Sequence, residues 1–190
     1  MKNIEIRRFA PLSYAGQEAI NTLCTNLTFS GENMKRIMMT STHASEGKSF
    51  LTMSIMHTLA SMGYNVVLVD ADLRRSYIAS RYGFFHEDSE NQWGLAHFLA
   101  DMVNVPDIVY STNLEGVYVV PVGRTVSNAL PLLNSNRFDL LAVSIKKPFA
   151  VYCPVVDAVC VLADTDYRSM AVGSVLAVFT IRSVLAWSTI

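Results

Sequence analysis

The residues Thr40-Ser41-Thr42-His43-Ala44-Ser45-Glu46-Gly47-Lys48-Ser49 follow a short apolar run, and a second run, Val66-Val67-Leu68-Val69, ends in Asp70-Ala71-Asp72-Leu73-Arg74-Arg75. Gly47-Lys48-Ser49 at a helix start is a residue set suited to polyphosphate. Backbone N–H groups and the positive helix end meet phosphate oxygens. Lys48 would bridge the β- and γ-phosphates, and Ser49 would offer its hydroxyl to Mg²⁺. The pattern GxxxxGK[ST] asks for glycine at Thr42, so the formal motif is imperfect. Asp70 and Asp72, at i and i+2 on a strand end, can share one Mg²⁺ and its waters. Alternatively, one of them can take a proton from an attacking hydroxyl. The plainer alternative is a solvated strand end with Arg74 and Arg75 as ion-pair partners.

The elements that must position these groups are legible around them. Ile37-Met38-Met39 predicts a strand over Arg36 to Thr40. Leu51, Ile55, Met56 and Leu59 recur at helical spacing, predicting a helix from Lys48 to Met62 capped by Gly63. The unbroken apolar run predicts a strand over Asn65 to Val69 buried on both faces. Upstream, Ala19, Ile20, Leu23 and Leu27 mark a helix from Gln17 to Phe29, and residues 1–16 read as a loosely attached leader. Downstream, Arg74 to Gln92 reads as a helical turn followed by a surface loop. Gly94 to Met102 is a short helix, Val105 to Val109 a turn, Val117 to Pro121 a strand and Leu130 to Ile145 mostly helix. Phe149 to Tyr152 and Val175 to Phe179 are the last strand candidates. Alternating strands and helices imply an α/β fold, a doubly wound, mainly parallel sheet flanked by helices. One domain over 17–190 is expected, divergent or incomplete after about residue 145.

The bulk properties narrow the function classes. The chain has 190 residues, of which 51% are hydrophobic and 16% charged, so a folded core is expected. A formal net charge of −1 argues against a nucleic-acid partner held by broad electrostatics. The cysteines Cys24, Cys153 and Cys160 lack CxxC spacing and point to a reducing cytosol. The N-terminus lacks a signal-peptide core. Ala171 to Ile181 is apolar but too short to span a bilayer, which takes roughly 20 residues, so a buried strand is expected. His43 reads as a solvent-facing loop histidine, with contact to phosphate as the alternative; His57, His86 and His97 show no ligand spacing, and no metal site beyond Mg²⁺ is expected.

Three segments together resemble the bacterial tyrosine kinases of capsule and exopolysaccharide systems, a branch of the P-loop ATPases that also contains the Min/Par partitioning ATPases. Glu18 to Ser30 is similar to the helix before the family's first strand. Thr40-Ser41 through Lys48-Ser49 is similar to its Walker A loop. Val66 to Arg74, an apolar run followed by Asp-x-Asp-x-Arg, is similar to its Walker A′ motif. Weaker matches continue at Gly94-Leu95 with Leu99, at Val120 to Gly123, and at Asn128 with Leu132-Leu133. The resemblance implies ATP-dependent phosphorylation of tyrosine hydroxyls. Lys48, Asp70 and Asp72 would be catalytic. Ser45, Glu46, Gly47, Lys48, Ser49, Phe50 and Arg74 would hold ATP, and Ser49, Asp70 and Asp72 would hold Mg²⁺. It also implies a membrane adaptor of the polysaccharide co-polymerase type, a cytoplasmic or peripheral location at the membrane's inner face, and homo-oligomer formation.

The sequence departs from the family at several points. Ala44 and Ser45 replace the Pro-Gly of the usual loop. Glu18 matches the self-association motif Glu-x-x-Arg-x-x-Arg, but Asn21 and Cys24 stand at the arginines. Tyr152 stands where the Walker B aspartate is expected, and Tyr167 is isolated rather than part of a tyrosine cluster. A chain that binds nucleotide and turns over poorly, or one with an altered reading frame after about residue 145, accounts for these departures. The rival functions are a partitioning-type ATPase switch and a nucleotide-binding regulator without catalysis.

Overall fold

A computed structural model describes residues 1–29, 36–40, 45–87, 92–144, 158–162 and 177–180 of the chain. The second apolar run forms β3, Val66–Asp70, in which every residue is buried. Side chains alternate across a strand, and β3 accordingly feeds two cores. Val66 and Leu68 pack with α1 (Tyr14–Phe29) and α2 (Lys48–Ser61). Val67 and Val69 pack with α4 (Leu95–Leu99), α5 (Val105–Ile108), α6 (Ala129–Leu133) and α7 (Asn136–Ser144). The strand β2 (Arg36–Thr40) divides the same way, with Ile37 and Met39 on the first face and Met38 on the second. Helices on both faces explain why these runs are continuously apolar.

Across the sheet the order is β4 (Phe84–Phe85), β1 (Asn3–Ile6), β5 (Tyr110–Thr112), β6 (Val117–Val120), β3, β7 (Ala158–Leu162), β2, β8 (Ala177–Thr180). From β6 to β8 all neighbours are parallel. The β1–β4 and β5–β6 pairs are antiparallel. The mainly parallel α/β expectation therefore holds, with an antiparallel margin added.

Four differences from the sequence reading have physical causes. Residues 3–6 are no loose leader: β1 pairs with β5 and β4, and Ile4 is fully buried. The stretch after Arg74 holds α3 (Ile78–Tyr82) and β4, joined at Gly83 in a left-handed conformation. The expected helix from Leu130 to Ile145 is two helices; at the break the Ser135 hydroxyl donates to the Leu132 carbonyl while its own carbonyl takes the Phe138 N–H. The strand filling the sheet between β3 and β2 is Ala158–Leu162, whereas Phe149 to Tyr152 lies outside the described residues. The end of α2 matches expectation. Gly63 turns at φ 91°, its N–H donates to Ala60, and that of Tyr64 donates to Leu59.

Gly94 starts α4 against the end of β6, where Leu95 and Ala96 N–H groups donate to the Pro121 and Val122 carbonyls. A Cβ on Gly94 would lie 2.3 Å from the Gly123 nitrogen and 2.4 Å from the Pro121 oxygen. Both are backbone atoms with no freedom to move aside. Gly94→Ala is expected to lower folding stability by about 2–3 kcal/mol, read from the denaturant midpoint.

Candidate functional site

The parallel register brings the two motif-bearing strand ends to one level. Leu162 of β7 pairs with Met39 on one side and with Asp70 on the other. Two ladder steps separate β2 from β3, about 10 Å at the usual strand spacing. The chain leaving β2 therefore enters its loop on the same sheet edge where β3 presents Asp70. This carboxyl edge is where open α/β sheets bind ligands.

On the loop side, Ser45 holds φ 64° and Gly47 holds φ 89°. Nothing crowds Gly47 within 4 Å, so its left-handed backbone rather than space favours glycine there. Ser45 stands where the resemblance expects glycine. It is accommodated in the left-handed region at a cost of about 1 kcal/mol. Gly47 is the N-cap of α2 and gives no side-chain cap, and the first turn holds no acidic residue. Lys48 and Ser49 open the helix and are half-buried. Such a helix start offers unsatisfied N–H groups and a positive dipole end to an anion. Phe50, expected beside nucleotide, is 44% exposed and lines a lateral groove with Arg81.

On the strand side, Asp70 is buried. One carboxylate oxygen accepts the Asp72 N–H at 3.2 Å, and the other accepts the Ser76 hydroxyl in a short hydrogen bond. Burial pushes the Asp70 carboxyl up to about 7, the Ser76 and Asp72 N–H bonds oppose the rise, and the Asp72 charge adds to it. Among the described residues no lysine or arginine forms an ion pair with Asp70. Asp72 is half-buried and accepts the Arg75 N–H at 2.9 Å, which turns the chain after the motif. Arg74 is also half-buried. The segment is tied down by the Val126 N–H, which donates to the Leu73 carbonyl.

Each Asp70 oxygen takes one neutral donor and keeps a further lone pair that a cation could use. Among the described residues no group of three or more His, Cys, Asp or Glu assembles. Two carboxylates and a serine hydroxyl suit Mg²⁺, which keeps waters and takes one or two carboxylates beside phosphate oxygens. Sequence reasoning missed Ser76 and Tyr82. The Tyr82 hydroxyl reaches the Ser49 carbonyl at 3.5 Å, linking α3 to the start of α2. Both lie in a stretch without periodicity, so no pattern marked them.

The helix carrying the self-association match has turned one of its positions inward. Cys24 is fully buried against α2, with Sγ 3.8 Å from the Ile55 carbonyl, and burial pushes its thiol up to about 12. Asn21 bonds Gln17 and Glu18 on its own helix. The expected aspartate position at Tyr152 lies outside the described residues.

A helix opening on Gly47-Lys48-Ser49 after β2, beside an aspartate-tipped parallel strand, is the arrangement of a P-loop nucleotide-binding domain. The chain belongs to the CobQ/CobB/MinD/ParA nucleotide-binding family, whose model matches residues 37–168. Among relatives, the tyrosine-protein kinase CpsD of Streptococcus pneumoniae is 34% identical over 133 residues, covering 70% of this chain and 57% of that protein. The chain thus spans little more than half the length of that relative. The kinase domain of the Escherichia coli tyrosine kinase ETK superposes with a TM-score of 0.73 at 22% identity, covering 92% of this chain and 69% of that one. The septum site-determining protein MinD of Pyrococcus horikoshii, complexed with Mg-ADP, gives 0.53 at 22% identity, covering 67% and 47%. The likeness to bacterial tyrosine kinases read from the motifs is borne out.

Two predictions follow from the site's geometry. Ser45→Gly relieves the left-handed serine and is expected to raise stability by about 0.5–1 kcal/mol in chemical denaturation. For Asp70, the folded value of about 7 lies above the unfolded value, so the folded state holds the extra proton. Its contribution is intact below about pH 4, falls as pH rises, and is lost above about pH 7. Asp70→Asn should therefore match the wild type in acid and exceed it above neutrality, by up to about 4 kcal/mol without Mg²⁺. Melting curves across pH measure the difference, and parallel curves at every pH would exclude the buried-proton account.

Proposed function

We propose that the chain is an ATP- and Mg²⁺-dependent protein-tyrosine kinase domain acting in polysaccharide biosynthesis. What supports this reading is the ladder that sets the end of β2, which leads into the loop before Lys48-Ser49, level with Asp70 at the end of β3, with Asp72 two residues on. In this reading Gly47 and the first-turn N–H groups cradle the phosphates, with Ser45, Glu46, Phe50 and Arg74 bordering the nucleotide. Lys48 spans the β- and γ-phosphates. Ser49, Asp70 and Asp72 hold Mg²⁺, which when bound neutralises charge on the phosphate oxygens. Asp70 or Asp72 receives the phenolic proton as the tyrosine oxygen bonds the γ-phosphorus and the bond to the β-phosphate oxygen breaks. A carboxylate within reach of the phenol is the kind of group that accepts such a proton.

The names of the relatives support this reading, as does the Asp-x-Asp-x-Arg spacing of Asp70, Asp72 and Arg74. A membrane adaptor of the polysaccharide co-polymerase type is the partner this reading implies, with the domain at the inner face of the membrane. Among the described residues no helix is long and apolar enough to cross a membrane. Self-association through Glu18 would need contacts other than the missing arginines, since Cys24 faces the core. A second reading, a nucleotide-binding regulator without turnover, draws on Tyr152 at the expected aspartate position.

The test pairs binding with turnover. Lys48→Met is expected to weaken a fluorescent ATP analogue at least about tenfold. Labelled ATP with Mg²⁺ is expected to yield phosphotyrosine on the wild type. Release of free phosphate alone would favour a partitioning-type switch. Tight binding with no turnover would favour the regulator.

A further inference from the structure

A groove of about 460 Å³ runs beside the first turns of α2 and shares Phe50 with the proposed nucleotide border. Three of its lining residues are arginines, Arg7, Arg8 and Arg81, and no carboxylate lines it among the described residues. A local cluster of three guanidinium charges is notable in a chain of net charge −1. Its backbone is well held. The Arg8 N–H donates to the Tyr82 carbonyl at 2.9 Å and that of Arg7 to Gly83 at 3.3 Å. The Arg8 guanidinium reaches the Ser80 carbonyl at 3.4 Å, and that of Arg7 lies 3.6 Å above the Phe85 ring while pairing with Glu5 at the half-exposed rim.

Between these charges the floor is aromatic. Phe9 stacks on His57 at 4.7 Å and leans on Tyr82 at 6.2 Å. Phe50 is exposed beside them. Guanidinium groups bind carboxylates in paired hydrogen bonds and stack on aromatic faces. An exposed phenyl ring gains from covering by another ring. The chemistry that satisfies both is an acidic peptide carrying an aromatic side chain. A nucleic-acid backbone would need an extended basic stripe rather than one groove.

We propose that this groove is a docking site for the acidic, tyrosine-bearing segment of a protein acceptor. The inference rests on the kinase reading above. Position supports it: Phe50 directly follows Ser49, and Tyr82, whose ring forms the floor, touches the Ser49 carbonyl. A segment seated here lies against the same helix whose first turn faces the phosphates. Arg8 and Arg81 supply affinity for its carboxylates and take no part in the chemistry.

Fluorescence anisotropy with a labelled random Glu–Tyr copolymer tests this on the full chain. Arg8→Ala with Arg81→Ala is expected to weaken copolymer binding at least about tenfold while leaving the affinity for an ATP analogue unchanged. A Glu–Ala copolymer should bind the wild type several-fold more weakly. If the double variant melts early, Arg81→Gln alone carries the comparison, since Arg81 is exposed. Equal copolymer binding by variant and wild type overturns the proposal, as does equal binding of the Glu–Ala polymer. So does tighter, arginine-dependent binding of anionic lipid vesicles or single-stranded DNA. Failure of the nucleotide reading would show separately, as absent binding of the ATP analogue by the wild type.

Discussion

Leu162 sits between Met39 and Asp70 in one continuous parallel ladder, and the geometry of the site depends on that pairing. Parallel strands align their carboxyl ends, so residues far apart in the chain reach one edge without a dedicated scaffold. A slip of one residue on β3 would turn Val66 and Leu68 toward the wrong core and withdraw Asp70. The burial of every β3 residue thus protects the register of the carboxylate at its end. Packing and chemistry are coupled through a single strand.

The helix α2 carries the second coupling. Its core side inserts Met53, Ile55, Met56 and Leu59 beneath α1 and against the sheet. That packing fixes the direction in which its uncapped start points. Its flank, from Phe50 to Ser54, forms one wall of the arginine-lined groove. The Tyr82 hydroxyl meets the Ser49 carbonyl, so α3 buttresses the turn that would meet phosphate. Nucleotide and peptide chemistry can therefore share one rigid element while using different faces of it.

What could be read from the sequence follows from what local patterns encode. The strands β2 and β3 were legible as short unbroken apolar runs, and α2 as a longer apolar segment at helical spacing after Gly47. The motif residues were legible because phosphate chemistry limits the choice of side chain. The strand β1 was not: Asn3-Ile4-Glu5-Ile6 alternates polar and apolar, but four residues are a short signal, and its burial is decided by pairing with the distant β5. The split between α6 and α7 falls at Asn134 and Ser135, where side-chain and backbone bonds to Leu130 and Leu132 close the first helix. The role of Ser76 depends on a turn that returns it to Asp70. The inward face of Cys24 was hidden because an isolated helix does not declare which residue its neighbour will cover.

Magnitudes explain how the fold tolerates an unfavourable site. A left-handed Ser45 costs about 1 kcal/mol, and an ionised Asp70 without a cation costs several more. Fully burying each of Met53, Ile55, Met56 and Leu59 contributes about 1.5–3 kcal/mol. The core beneath α2 is large beside the costs at Ser45 and Asp70, and the same strands hold a second core on the other face. Because the offset comes from the two cores, a change at Ser45 or Asp70 can move stability and ligand binding in opposite directions. A site residue that weakens the empty protein and strengthens the loaded one is what a cation-binding carboxylate requires, since the free energy withheld from folding reappears when the cation arrives.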